Sequence, residues 1–109
     1  MMDIFVRFTA PGFHHWAGAS GERSYLAQPH RHLFNVEARV AVSHDDREIE
    51  FHDLLDFARA QFGEGDFGES SCERLARKLA KKMARRYGRA CCVSVSEDGE
   101  VGATYSVEP

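Results

Sequence analysis

From His30 to Val42 every second residue is a histidine or apolar: His30, His32, Phe34, Val36, Ala38, Val40 and Val42. The residues between them, Arg31, Leu33, Asn35, Glu37, Arg39 and Ala41, are mostly polar. Alternation with a period of two predicts a strand with one buried face, here over about residues 32–43. Side chains two apart on a strand share a face. His30 and His32 are therefore expected side by side, where the buried face ends. An earlier strand is predicted over residues 3–10, where Ile4, Val6, Phe8 and Ala10 alternate with Phe5, Arg7 and Thr9. A long loop over residues 17–29 joins the two. Near the C-terminus Cys91, Val93 and Val95 alternate with Cys92, Ser94 and Ser96. Asp98-Gly99 is a hairpin turn signal, and Val101–Val107 returns as a fourth strand.

Between these hairpins the period changes to that of a helix. Leu54, Leu55, Ala58 and Phe62 predict a first helix over about 51–62. The stretch Gly63–Gly68 is a glycine-rich break. Leu75, Leu79, Met83 and Tyr87 then recur at four-residue steps opposite Arg74, Arg77, Lys78, Lys81, Lys82, Arg85 and Arg86. Ser70 and Glu73 have the spacing of a capping box, and Gly88 is a natural stop. The order β-β-α-α-β-β predicts an α+β fold: a four-stranded antiparallel sheet with two helices on one face. With 109 residues the chain is read as one domain, residues 1–109.

Charge and cysteine content narrow the class. A formal charge of −3 gives no reason to expect a nucleic-acid partner or a membrane surface. Cys72, Cys91 and Cys92 contain no Cys-x-x-Cys spacing and suggest no disulfide framework, so a reduced, cytoplasmic setting is the expectation. No apolar run has membrane-spanning length.

Six histidines are many for so short a chain. Two imidazoles on one strand face are natural metal ligands, and a catalytic zinc usually takes three protein ligands. Continuing the inward register of the first strand from Ala10 gives Gly12 and then His14. The expected set is His14, His30 and His32. His15 stays an alternative if Pro11-Gly12 carries a bulge. His44 and His52 lie among polar residues and read as solvated. Cys72 begins the second helix, where a helix dipole lowers a thiol pKa, yet it also falls on the apolar stripe with Ala76, Leu79 and Met83, and core packing is the preferred role. Glu22 and Tyr25 in the long loop are further groups able to approach a metal.

Taken together, these residues resemble the 6-pyruvoyltetrahydropterin synthase and 6-carboxytetrahydropterin synthase family of tunnelling-fold proteins, as a short, divergent member. His14 or His15 resembles that family's first zinc ligand, and His30-Arg31-His32-Leu33-Phe34 its His-Gly-His-Asn-Tyr motif. Glu50-Phe51 stands where the family has Asp-Phe, and Ser71–Ala76 resembles its Pro-Thr-x-Glu-Asn-Leu-Ala helix start. Val95-Ser96-Glu97 with Gly102–Tyr105 resembles its Val-x-Glu-Thr…Ala-x-Tyr ending. The resemblance implies a zinc ion at the mouth of a pterin pocket, with Glu97 anchoring the ring. A carboxylate suits that task, because its two oxygens accept two parallel N–H bonds. It also implies a homo-oligomer, a trimer or hexamer, in which uncovered sheet edges pair between chains.

Two departures bear on activity. The family's cysteine before the His-x-His motif has no counterpart in Ser24–Pro29, and its Asp-His pair none in Phe62–Gly68. No catalytic residue is identified. The expected function is a zinc-dependent synthase-like lyase acting on a reduced pterin or related compound. The alternative is a pterin-binding or zinc-binding homologue without turnover, lacking those proton-transfer residues.

Overall fold

The computed structural model describes all 109 residues, Met1–Pro109. The elements are β1 (Met2–His14), β2 (His30–Val42), α1 (Phe51–Phe62), β3 (Gly65–Asp66), α2 (Cys72–Tyr87), β4 (Cys91–Glu97) and β5 (Val101–Val107). A 3₁₀ segment, Gly21–Ala27, lies in the connection expected as plain loop. The strands form one sheet in the order β3-β1-β2-β4-β5. The fold is α+β as expected, but the sheet has five strands and is mixed, not four and antiparallel. The added strand is a two-residue piece of the glycine-rich break, running parallel to β1 with Gly65 beside Gly12 and Asp66 beside Phe13. A pair of residues carries no periodicity, so alternation could not reveal it.

The two long strands set the shape. β1 and β2 pair without interruption from Met2↔Val42 to His14↔His30. Thirteen residues at about 3.4 Å each give roughly 44 Å, and the molecule measures 51 × 22 × 22 Å. β1 thus runs four residues past its expected end. β2 begins at His30 rather than 32 and ends at Val42. No bulge occurs at Pro11-Gly12. Gly12 is needed there, because a Cβ would lie 2.4 Å from the Phe67 ring and 2.9 Å from the Gly65 carbonyl oxygen.

Both helices cover one sheet face. Val6, Phe8 and Ala10 of β1, Phe34, Val36, Ala38 and Val40 of β2, and Cys91, Val93 and Val95 of β4 point under them. Leu54, Ala58 and Phe62 of α1 and Cys72, Leu75, Ala76, Leu79, Ala80 and Met83 of α2 complete a single core. The other sheet face is uncovered and leaves Phe5, Phe13 and Leu33 about half exposed. Glu50 caps α1, its side chain accepting from the Asp53 N–H. The cap of α2 is Ser71, accepting from the Arg74 N–H at 3.2 Å, so the Ser70–Glu73 box does not form. The Ser70 carbonyl oxygen lies 2.9 Å from His14 Nδ1. No helix is long and apolar enough to cross a membrane.

Candidate metal centre

The inward register of three strands ends in polar residues at one end of the core. His14 follows Ala10 and Gly12 on β1, His32 and His30 precede Phe34 on β2, and Glu97 follows Val93 and Val95 on β4. Directly opposed residues in an antiparallel sheet share a face. His14 opposes His30, and Glu97 opposes Phe34. The imidazole centroids lie 4.5 Å (His14–His30), 5.2 Å (His14–His32) and 4.9 Å (His30–His32) apart. Below them Phe34, fully buried, meets the His14 and His32 rings edge-on, with Phe67 beyond it. One ligand atom from each of His14, His30, His32 and Glu97 falls within 4.8 Å of the others.

Hydrogen bonds orient every ring. His14 Nδ1 lies 2.9 Å from the Ser70 carbonyl oxygen, and His30 Nδ1 3.0 Å from that of Gln28. His32 Nδ1 lies 2.8 Å from Asp98 Oδ2. These oxygens only accept, so each Nδ1 donates, which leaves Nε2 as the ring nitrogen available to an ion. Asp98 is itself clamped to β2: its Oδ1 accepts from the Leu33 N–H at 2.9 Å, and its own N–H donates to the Leu33 carbonyl at 2.9 Å. The hydrogen bond from His32, then that from the Leu33 N–H, holds the Asp98 carboxyl below its ordinary pKa.

The donor chemistry fits a cation. Glu97 Oε2 lies 3.0 Å from His14 Nε2 and 2.9 Å from His32 Nε2. Where the rings are neutral and protonated on Nδ1, both contacts set an anionic acceptor against lone pairs, which a second ring proton or a bound cation relieves. Such an arrangement is favourable only with a positive charge among the three atoms. Three imidazole nitrogens with a carboxylate match zinc's preference, and carbonyl or carboxylate acceptors on the far ring nitrogen are the usual support of metal-binding histidines.

The structure brings His14, His30, His32 and Glu97 together. His15, out of register without a bulge, lines the neighbouring cleft but does not join the cluster. Glu22 and Tyr25 are exposed and do not line the cleft. His44 and His52 are exposed, as expected. The cleft has a volume of about 450 Å³ and is walled by His14, Trp16, Leu26, His30, Glu69, Glu73 and Glu97, with Cys72 and Gly102 also reaching it; no lysine or arginine lines it. Cys72 is buried, and burial, then the Glu97 charge, pushes its thiol up to about 11. Sequence reasoning named Glu97 only as a ring anchor and did not join it to the histidines. The alternation of β4 continues from Val95 to Glu97, a legible sign that Glu97 faces the core end. Asp98 was read only as a turn residue, and its contact with His32, distant in sequence, left no signal.

No protein-family model matches the sequence, and no curated protein sequence matches it significantly. Solved structures do match. A 6-pyruvoyltetrahydropterin synthase from Plasmodium vivax superposes with a TM-score of 0.61 at 14% identity, over 99% of this chain and 98% of that one. Two variants of that synthase, each altered at a catalytic glutamate, superpose with TM-scores of 0.70 and 0.71 at 15% identity and the same coverage. At such identity the likeness speaks for architecture, and along nearly its whole length this chain has the fold of a 6-pyruvoyltetrahydropterin synthase.

Proposed function

We propose that the chain is a zinc-dependent protein of the 6-pyruvoyl- and 6-carboxytetrahydropterin synthase type, acting on a reduced pterin or a related compound. The observation that carries this reading is the set of three imidazoles, each with Nδ1 on a carbonyl or carboxylate oxygen, clustered with a carboxylate so that one ligand atom of each lies within 4.8 Å of the others. His14, His30 and His32 hold the ion. Bound there, zinc supplies Lewis acidity toward oxygens of the compound in the cleft. Glu97 lines the same cleft and can accept from the N–H edge of a pterin ring. Trp16 and Leu26 offer apolar surface for the ring.

Proton transfer needs groups other than the family's cysteine and Asp-His pair. The Plasmodium variants concern a catalytic glutamate, so a carboxylate serves in that protein. In this chain Glu69 and Glu73 are the cleft carboxylates outside the cluster. Glu69 is positioned by the Ala17 N–H at 3.2 Å. The second reading is a homologue that binds without turnover, favoured by the buried Cys72, whose thiol at about 11 stays protonated at neutral pH. The expected assembly is a homo-oligomer, a trimer or hexamer.

Elemental analysis of purified protein tests the metal reading: one zinc per chain is expected, and none in His30→Ala and His32→Ala. No zinc after purification without chelator, and none taken up on addition, refutes it. Titration with neopterin or sepiapterin tests the ligand class, and dihydroneopterin triphosphate turnover, with Glu69→Gln and Glu73→Gln, separates synthase from binding protein.

A further inference from the structure

We propose that Glu97 is a fourth ligand of the ion, and that it leaves the ion when a ring compound enters the cleft. This rests on the zinc reading above and adds to it a closed resting state. One oxygen of Glu97 stands 2.9 Å from His32 Nε2 and 3.0 Å from His14 Nε2, the ring nitrogens not used on Asp98 and the Ser70 carbonyl. That oxygen therefore occupies a ligand position alongside the two nitrogens, and the His30 ring completes a set of four within 4.8 Å. Four protein ligands make a closed site of the structural kind, whereas chemistry on a bound compound requires an open position.

The four ligands are not held alike. Each histidine has its far nitrogen fixed, on the Ser70 carbonyl, the Gln28 carbonyl or Asp98. The Glu97 carboxylate has no hydrogen-bond partner outside the cluster. Its side chain is also the most exposed of the three whose contacts meet there, 25% against 11% for His14 and 20% for His32. It lines the cleft directly. Glu97 is therefore the ligand that can turn away. A ring with two adjacent N–H donors offers its carboxylate a bidentate, charge-matched alternative. Taking that alternative frees one coordination position for an oxygen of the same compound. Ion and ring site are thus coupled through one side chain, and the position opens only when the cleft is filled by a compound bearing those donors.

The experiment uses the full chain stripped of metal and reloaded with cobalt(II), whose visible absorption reports ligand number and type. The Glu97→Gln protein is expected to bind zinc at least about tenfold more weakly, since even outer partners of metal ligands are worth that much, and to show an altered cobalt spectrum. Neopterin, its binding followed separately by its own fluorescence, is expected to move the wild-type spectrum toward that of Glu97→Gln. Circular dichroism and melting establish that the variant is folded. If it is not, Glu97→Asp, which keeps the charge on a shorter stem, is expected to give an intermediate spectrum. A folded Glu97 variant with the wild-type spectrum and zinc affinity within twofold overturns the proposal alone. So does a wild-type spectrum unmoved by saturating neopterin. Wild type that takes up neither zinc nor cobalt overturns the zinc reading and this proposal together. Metal-loaded protein that binds no neopterin overturns the pterin reading and the exchange with it.

Discussion

Replacing Asp98 by Asn isolates what the second carboxylate does for the metal centre. Asp98 uses one oxygen on the Leu33 N–H at 2.9 Å and the other on His32 Nδ1 at 2.8 Å. Its backbone has φ 57, a left-handed conformation that asparagine tolerates far better than alanine does. Asparagine therefore preserves the turn but supplies only one acceptor oxygen. If the oxygen stays on Leu33, the amide NH2 faces His32 Nδ1. The imidazole then moves its proton to Nε2, losing the lone pair aimed at the ion. If the oxygen turns to His32, the Leu33 N–H loses its partner. The second outcome costs one hydrogen bond, whereas the first keeps both but removes the ring nitrogen aimed at the ion. Loss of such supporting partners lowers metal affinity about 10–100-fold, equivalent to about 1.4–2.7 kcal/mol. The assay is competition for zinc against a chromophoric chelator, on wild type and Asp98→Asn. Melting of the metal-free proteins serves as control, where a small difference is expected because the side chain is about half exposed, 47%. Zinc affinity within twofold of wild type would refute the reasoning.

Gly12→Ala is expected to destabilise by about 1–3 kcal/mol, as overpacking does, because the new methyl meets the Phe67 ring wedged against Phe34 and Phe62; an unchanged melting temperature would show that Phe67 yields freely. Glu48 is held below its ordinary carboxyl value of 4.5, first by the Arg89 guanidinium and then by Ser43. Its contribution to stability is therefore complete above about pH 4.5 and is lost as pH falls below it, so denaturant titrations at pH 7 and pH 3 are expected to show a smaller acid loss for Glu48→Gln, and equal losses count against the ion pair. The outer edge of β5, and a sheet face with Phe5, Phe13 and Leu33 half exposed, invite pairing with other copies. Light scattering at micromolar concentration is expected to give a multiple of 12.3 kDa, and a monomer mass overturns the assembly.

The strands were legible because each keeps one face in the core, and alternation reports that directly. The same signal placed the candidate metal ligands: His14, His30 and His32 occupy positions where the pattern demanded an inward side chain. It also carried Glu97, two residues beyond Val95, although the family comparison drew attention to a ring-binding role instead. What stayed hidden depends on contacts without local pattern. β3 is two residues whose pairing is fixed by the close approach of Gly12 and Gly65. The α2 cap shifted from Ser70 to Ser71, and Ser70 offers its carbonyl to His14, 56 positions away. Asp98 reaches His32 across 66 positions. Hydrogen bonds of that range follow from how the sheet closes, which the sequence reveals only after the strands are assembled.

The supports of the three histidines come from three separate connections. Ser70 precedes α2, Gln28 lies in the β1–β2 connection, and Asp98 lies in the β4–β5 turn. The ligands themselves end β1, begin β2 and end β4. An ion there ties together every segment that meets at this end of the core. Without one, the Glu97 carboxylate faces two imidazole nitrogens at 2.9 and 3.0 Å, a pairing that is favourable only where a ring takes up a second proton. Metal binding and local folding are then one equilibrium. An ion at a hundred times its dissociation constant adds about 2.7 kcal/mol to the folded state, a sizeable share of a small domain's stability. An ion held at this end of the core would therefore also complete the fold around it.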